Sequence, residues 1–168
     1  GAHNPCMELT QTEYGISADG TTAFIEMATI SGLPLIREEQ RNPMKTTSYG
    51  TGELIRDALE RGCTRFIIGI GGSATNDAGT GMLQALGFRF LNEKGELLGQ
   101  GGEILSEIKS IDTSGICPLL KNAHFTVACD VKNPFYGPEG AAHVFARQKG
   151  ADDMMIAVLD KGMRSFAQ

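Results

Sequence analysis

The sequence predicts one α/β domain over residues 1–168, with a mixed sheet, strand–glycine-loop–helix units and hairpins. The isoleucine-rich run Arg65 to Ile70 looks like a buried strand, breaks into glycines, and is followed by apolar residues at helical spacing up to Gly87. A second apolar run, Phe125 to Val131, indicates another strand. An Asp-Gly turn between two alternating segments near the start indicates a hairpin.

Turn and stop signals define the elements of the first part of the chain. Asp19-Gly20 predicts a hairpin of residues 13–17 and 21–26, and a short helix over 27–31 follows. Two prolines mark residues 32–48 as a long surface or cleft-lining loop. After Tyr49 to Glu53, one apolar face predicts an amphipathic helix that ends at Gly62; it consists of Leu54, Ile55, Ala58 and Leu59.

The second part of the chain alternates short strands and helices in the same way. Beyond the glycine-loop helix, the expected elements are a hairpin over 88–98, a short helix over 103–109, the strand over 125–131, a helix through His143 to Arg147 and a last helix over 152–166. No internal repeat is visible.

The glycine loop between the first strand and its helix has the composition of an anion site. Glycine lets the backbone approach a ligand closely, and the free N–H groups of a helix's first turn favour a negative charge. The candidate phosphate-binding residues are Gly71, Gly72, Ser73, Thr75 and Asn76. The alternative is a tight turn in which Ser73 or Thr75 caps the helix and no ligand is bound.

The glycine loop can be compared with two known phosphate-binding motifs. A Walker A loop is absent, because no lysine lies between Arg65 and Lys94. A dinucleotide fingerprint fits better, since Gly69-x-Gly71-x-x-Ala74 is followed by Glu93 at a suitable distance. Residues 92–96 resemble a hairpin turn more than the end of a Rossmann strand. A dinucleotide-binding oxidoreductase domain therefore stays open as a rival.

Carboxylates after strands supply the second chemical feature. Asp130 follows an apolar strand, where open α/β sheets bind ligands, and is a candidate catalytic base or Mg²⁺ ligand. Asn133 is a candidate binding residue, and the alternative is that Asp130 only caps its loop through Asn133. Asp77 is a second candidate metal ligand, although an ordinary first-turn acid explains it at least as well.

A second glycine loop precedes the helix at His143. Gly137 and Gly140 are candidate binding residues there, so two helix starts would face one site. Arg147 and Lys149 could clamp a carboxylate or a phosphate, and Lys149 is the second candidate catalytic residue. The alternative is compensation of a helix dipole before Gly150.

Composition excludes several classes of function. With 15 Lys and Arg against 20 Asp and Glu, the net charge of −5 disfavours nucleic acids and anionic membranes. The four cysteines are widely spaced, which argues against zinc and a disulfide scaffold and favours a reducing cytoplasm. No apolar run is long enough to span a membrane. The first residues, 1–3, are interpreted as an expression remnant or as the edge of an excised fragment, and the last helix lacks a stop signal.

Four motifs together carry a family resemblance. In chain order they are Gly-Thr-Gly-Glu-Leu-Ile (50–55), Ile-Gly-Gly-Ser-Ala-Thr-Asn-Asp (70–77), Ala-Cys-Asp-Val-x-Asn-Pro (128–134) and Gln-Lys-Gly-Ala (148–151). This order resembles the bacterial glycerate kinase family (type 1), and the likeness covers nearly the whole chain. It implies phosphorylation of D-glycerate with ATP and Mg²⁺, in a cleft between two α/β domains.

The resemblance also shows two departures. Members of that family are roughly twice as long, and this chain resembles only their inserted second domain, so the fragment alone is expected to be inactive. At 145–148 the chain has Phe-Ala-Arg-Gln where the family usually has Phe-Gly-Pro-Gln, which weakens the assignment of Lys149. A non-catalytic binding or assembly module is the third hypothesis. Self-association and the choice between the 2- and 3-hydroxyl remain open.

Overall fold

The computed structural model describes residues 1–168 and contains eight β-strands and five α-helices. The strands are β1 (Ala2–His3), β2 (Leu9–Thr10), β3 (Gly15–Ile16), β4 (Thr22–Glu26), β5 (Arg65–Gly69), β6 (Arg89–Leu91), β7 (Ser110–Asp112) and β8 (His124–Ala128). The helices are α1 (Ala28–Ser31), α2 (Tyr49–Glu60), α3 (Thr80–Ala85), α4 (Ala141–Phe145) and α5 (Asp153–Phe166). Short 3₁₀ helices occupy Leu33–Leu35, Glu38–Gln40, Gly102–Glu107, Pro118–Asn122 and Arg147–Lys149. The predicted α/β class is confirmed.

A mixed four-stranded sheet, in the order β3-β4-β5-β8, is the centre of the fold. β3 and β4 form the predicted antiparallel hairpin, whereas β4, β5 and β8 run parallel to one another. The last residues of β5 and β8, Gly69 and Ala128, are register partners. The loops that follow these two strands therefore leave the sheet at the same edge.

Two hydrophobic clusters hold the chain together. The larger one packs one face of the sheet against α2, with Phe66 and Ile55 among its fully buried side chains. The smaller one surrounds Leu159 of α5 and includes Leu105 and Ala146. Asp152 begins α5 as its N-cap, since its carboxylate accepts a hydrogen bond from the Met155 N–H at 2.8 Å.

The start of α2 differs from the sequence prediction. The helix begins at Tyr49, so Gly50 and Gly52 lie inside it instead of preceding it. A Cβ at Gly50 would overlap the His3 carbonyl oxygen, and one at Gly52 would overlap that of Met82. Close packing against β1 and α3 thus outweighs the weak helix propensity of glycine.

The start of α3 is also different. Neither Ser73 nor Thr75 caps a helix, because α3 begins only at Thr80, after Gly79 in the left-handed region at φ 75°. Ala78 also has a positive φ of 52°. The glycine loop therefore does not lie at the N-terminus of a helix. The prediction that a helix dipole stabilises an anion at this loop is wrong.

The elements predicted for the second part of the chain are present only in part and with shifted bounds. The turn at residues 92–96 is present, with the Asn92 N–H donating to the Glu96 carbonyl oxygen at 3.0 Å, although β6 pairs mainly with β7. β8 ends at Ala128 and α4 at Phe145, and the helix expected over 103–109 is a 3₁₀ helix over Gly102–Glu107. All four cysteines are unpaired. None of the helices has the length and apolar character needed to cross a bilayer.

Candidate anion-binding cleft

A cleft of about 400 Å³ opens where the loops after β5 and β8 leave the sheet. It brings together five of the predicted site residues, Gly71, Gly72, Ser73, Asp130 and Lys149. Its other walls are partly apolar and include Phe145 of α4. Residues from three distant parts of the sequence thus meet in one concave site, as expected at the carboxyl edge of parallel strands.

The glycine loop offers unpaired backbone donors to this cleft. The N–H groups of Gly71, Gly72 and Ser73 donate to no acceptor within the protein. Gly72 has a positive φ of 71°, whereas its neighbours Gly71 and Ser73 do not. Such an alternation of backbone regions forms anion-binding nests. Three successive free N–H groups can bind one carboxylate or phosphate group without a helix terminus.

Hydrogen bonds from neighbouring segments hold the loop in place. The Ala74 N–H donates to the Ser31 carbonyl oxygen at 2.8 Å, and the Leu33 N–H donates to that of Gly72 at 3.0 Å. The buried Thr46 hydroxyl donates to the Ala74 carbonyl oxygen at 2.8 Å. Sequence reasoning missed Thr46; the hydroxyl run at residues 46–48, within a loop expected at the surface, was its only signal.

Lys149 is the cation of the cleft and is 9% exposed. Its Nζ donates to the Ser73 Oγ at 3.0 Å and to the Thr75 carbonyl oxygen at 2.6 Å. Burial lowers the pKa of the Lys149 ammonium from 10.5 to about 8, against the opposing effect of the Asp77 charge. Lys149 thus ties α4 and the following 3₁₀ helix to the glycine loop and brings one positive charge to the anion nest.

Asp130 lines the same cleft as Lys149 and is exposed. Its carboxylate makes no hydrogen bond or ion pair within the protein. The alternative that Asp130 caps its loop through Asn133 is not supported, because the Asn133 side-chain amide donates to the Glu139 carbonyl oxygen at 3.0 Å. Asp130 is therefore free to accept a proton or to bind a cation, whereas Asn133 stabilises its own loop.

Asp77 precedes α3 and accepts hydrogen bonds from N–H groups at the start of that helix, close to its alternative interpretation as an acid at a helix start. It is 2% exposed and lies outside the cleft. Its Oδ2 accepts hydrogen bonds from the Ser48 N–H and Oγ, both at 2.8 Å, and from the Gly81 N–H at 3.2 Å. Its Oδ1 accepts one from the Gly79 N–H at 3.1 Å. These bonds connect α2 to α3, so a role of Asp77 as metal ligand remains only a prediction.

Four further predicted binding residues do not line the cleft. Asn76 is buried and its amide contacts the Met163 sulfur at 3.3 Å, while Thr75 contributes only its carbonyl oxygen to Lys149. The Gly137 N–H donates to the Asp160 Oδ1 at 2.6 Å. A Cβ at Gly140 would overlap the Tyr136 backbone. The second glycine loop is thus fixed internally, and its glycines shape the approach to α4.

The departure at residues 146–147 leaves Lys149 in the cleft. Ala146 is fully buried in the smaller cluster, and Arg147 points to solvent, where it pairs with Asp153. Arg147 does not line the cleft. The chain has no group of three or more His, Cys, Asp or Glu side chains that could hold a metal ion.

The fold and the cleft define an α/β domain with a candidate anion-binding site at the carboxyl edge of its parallel strands. Comparison with known proteins identifies one family. The family model for the Glycerate kinase family matches residues 1–168. The chain is 52% identical over 164 residues to a glycerate 2-kinase of Escherichia coli K12 and 53% identical over 163 residues to a glycerate kinase of Bacillus subtilis 168. The chain belongs to the glycerate kinase family.

A solved structure supports the same conclusion. The crystal structure assigned as glycerate kinase 2 from Salmonella typhimurium LT2 matches 99% of this chain with a TM-score of 0.95 and 51% identity. The match covers 44% of that chain, and the two curated relatives are covered to 43% each. The chain therefore spans less than half the length of these relatives. The comparisons do not support the dinucleotide oxidoreductase, and Glu93 lies on a hairpin turn.

Proposed function

We propose that this chain is the part of a glycerate kinase that forms one wall of its active-site cleft. The proposed reaction is transfer of the γ-phosphoryl group of ATP to a hydroxyl of D-glycerate. The observation that carries this proposal is the meeting of the free glycine-loop N–H groups, the buried Lys149 and the unpartnered Asp130 in one cleft of a chain of this family.

The roles of these groups follow from their surroundings. The N–H groups of Gly71, Gly72 and Ser73 would bind one anionic group. The buried Lys149 ammonium beside them would add a positive charge. Binding of a carboxylate or phosphate there would fix the substrate relative to Asp130, and phosphoryl transfer depends mainly on such positioning.

Asp130 would act on the hydroxyl that receives the phosphoryl group. As the glycerate oxygen bonds to the γ-phosphorus and the bond to the ADP oxygen breaks, the hydroxyl proton would pass to the Asp130 carboxylate. A Mg²⁺ ion, when bound, would neutralise phosphate charge. The free Asp130 carboxylate would be one residue able to hold it, since carboxylate oxygens are ligands that Mg²⁺ prefers.

The identity of the acceptor hydroxyl is proposed from a relative. The Escherichia coli protein is named a glycerate 2-kinase, and we propose the 2-hydroxyl for this chain as well. Phosphorus NMR of the product distinguishes 2- from 3-phosphoglycerate.

The four unpaired cysteines support a reducing compartment such as the cytoplasm.

A hybrid enzyme tests the proposal. The 168 residues would replace the matched segment of the Escherichia coli relative, and D-glycerate-dependent release of ADP would be measured. Asp130→Asn should lower kcat by about 10²- to 10⁴-fold with little change in stability. The matched control is Asp153→Asn, whose side chain is 88% exposed on α5. A hybrid with near-normal kcat after Asp130→Asn would remove Asp130 from the mechanism.

A further inference from the structure

Strand β8 forms an edge of the sheet that nothing covers. All five of its residues are exposed, although Phe125, Val127 and Ala128 are apolar. Phe125 and Val127 are the register partners of Phe66 and Ile68, which are 1% and 5% exposed in the core. On β8 the exposed fractions rise to 44% for Phe125 and 54% for Val127. The hydrophobic core on this face of the sheet thus covers β5 but does not extend to β8.

The backbone of β8 has donors on its free side. The His124 N–H donates to the Thr64 carbonyl oxygen at 2.8 Å, towards β5. Because N–H groups alternate in direction along a strand of a parallel ladder, those of Phe125 and Val127 point away from β5. An exposed strand edge with such donors and apolar side chains is a template for another strand.

The second face of the sheet is also bare. Phe24 of β4 and Ile67 of β5 are register partners on this face and are 46% and 38% exposed. Parallel strands are normally covered on both faces. Here α2 covers one face only, so a partner on the other face is missing from the fold.

The total surface area gives the size of the missing contact. The chain exposes 9126 Å² at a mass of 17.9 kDa. A compact monomer of this mass exposes about 8,000 Å² by the usual scaling, so roughly 1,100 Å² is in excess. A standard interface buries about 800 Å² per partner. The excess is therefore as large as one side of a stable interface.

We propose that the free edge of β8 and the sheet face carrying Phe24 and Ile67 bind the remainder of a glycerate kinase, which adds a strand beside β8 and packs apolar helices on the bare face. This inference rests on the proposed function, because the relatives have more than half of their length beyond the matched region. A second copy of the chain fits less well. It could pair with the β8 edge, but such a continued sheet would leave Phe24 and Ile67 uncovered.

Proline substitution separates the new strand pairing from the existing one. Val127→Pro removes an N–H that points to the free side, so the β5–β8 ladder is kept, and edge strands tolerate such a proline. Val127→Ala is the matched control, since it trims the side chain and keeps the N–H. Both variants would be prepared as the isolated chain and in the hybrid enzyme, and unfolding of the isolated chain would check that both still fold.

Backbone hydrogen exchange gives a readout that does not depend on catalysis. In the isolated chain the Phe125 and Val127 amides should exchange freely. In the hybrid they should slow by at least about 100-fold, because exchange then requires the added strand to open. Val127→Pro should abolish the protection of Phe125 in the hybrid, and Val127→Ala should keep it.

Two results would overturn the inference. One is equally fast exchange of both amides in the hybrid and in the isolated chain. The other is protection in an isolated chain that has the mass of a dimer, which would make a second copy the occupant. An inactive hybrid with protected amides would count against the proposed function but not against this surface.

Discussion

Replacing Lys149 by methionine probes the charge buried in the cleft. The substitution keeps an unbranched side chain of similar length and removes the ammonium that donates to the Ser73 Oγ and the Thr75 carbonyl oxygen. The pKa of this ammonium falls from 10.5 to about 8 because burial disfavours its charged form. The folded protein therefore holds this proton less tightly than the unfolded chain does.

The size and sign of the effect follow from that pKa difference. A shift of this size corresponds to about 3 kcal/mol, and below pH 8 the folded state bears this whole cost. As pH rises from 8 towards 10.5, the folded state has released the proton while the unfolded chain still binds it. Stability then rises with pH, and Lys149 alone should add about 2.5 kcal/mol to the unfolding free energy between pH 7 and pH 10.

Urea unfolding at pH 7, 9 and 10 measures this contribution. Other groups titrate in the same range, so the quantity of interest is the difference between the unmodified chain and Lys149→Met. That difference should shift by about 2.5 kcal/mol in favour of the unmodified chain as pH rises. The control, Lys161→Met on the exposed side of α5, should show no such trend. A pH-independent difference for Lys149→Met would refute the buried, charged amine.

Two pairs of substitutions test the glycine loop and the Thr46 hydrogen bond that holds it. Gly72→Val should weaken binding of ATP or D-glycerate to the hybrid and cost about 1–3 kcal/mol, because φ is 71° and a Cβ would approach that of Ala28 to 3.3 Å. Gly71→Ala, with no atom near its Cβ position, is the control. Thr46→Val should cost about 1–3 kcal/mol in urea unfolding by leaving the buried Ala74 carbonyl oxygen unpaired, and Thr46→Ser should not. Unchanged KM after Gly72→Val would leave the loop as a turn, and equal stability of both Thr46 variants would make that hydrogen bond unimportant.

Local patterns were enough to predict β5, the first hairpin and the extent of α5. Their signals are short-range, such as an isoleucine run and an Asp-Gly turn. The start of α2 could not be predicted in this way. Gly50 and Gly52 reduce helix propensity, and only their contacts with His3 and Met82 explain why a helix forms there.

The candidate site was predictable in its chemistry but not in its connections. The glycine loop and Asp130 were identified from residue type and position after strands, and Lys149 from its place at the end of a helix. Of these candidates Gly71, Gly72, Ser73, Asp130 and Lys149 line one cleft. The role of Asp77 depends on Ser48, which is 29 residues away, and that of Lys149 on Ser73, which is 76 residues away. A pattern within one segment carries no information about such pairs, and Thr46 was missed for the same reason.

The charges of the cleft limit what this chain can bind without further help. Lys149 brings one positive charge and Asp130 one negative charge, and no arginine lines the cleft. Kinases neutralise the triphosphate of ATP with several cations, from metal ions and from lysine or arginine side chains. One ammonium beside three backbone donors matches a single carboxylate or phosphate group much better than a triphosphate. In the complete kinase we therefore expect this wall to hold glycerate or the phosphoryl group in transfer, while Mg²⁺ and the remaining part of the enzyme supply the other positive charges.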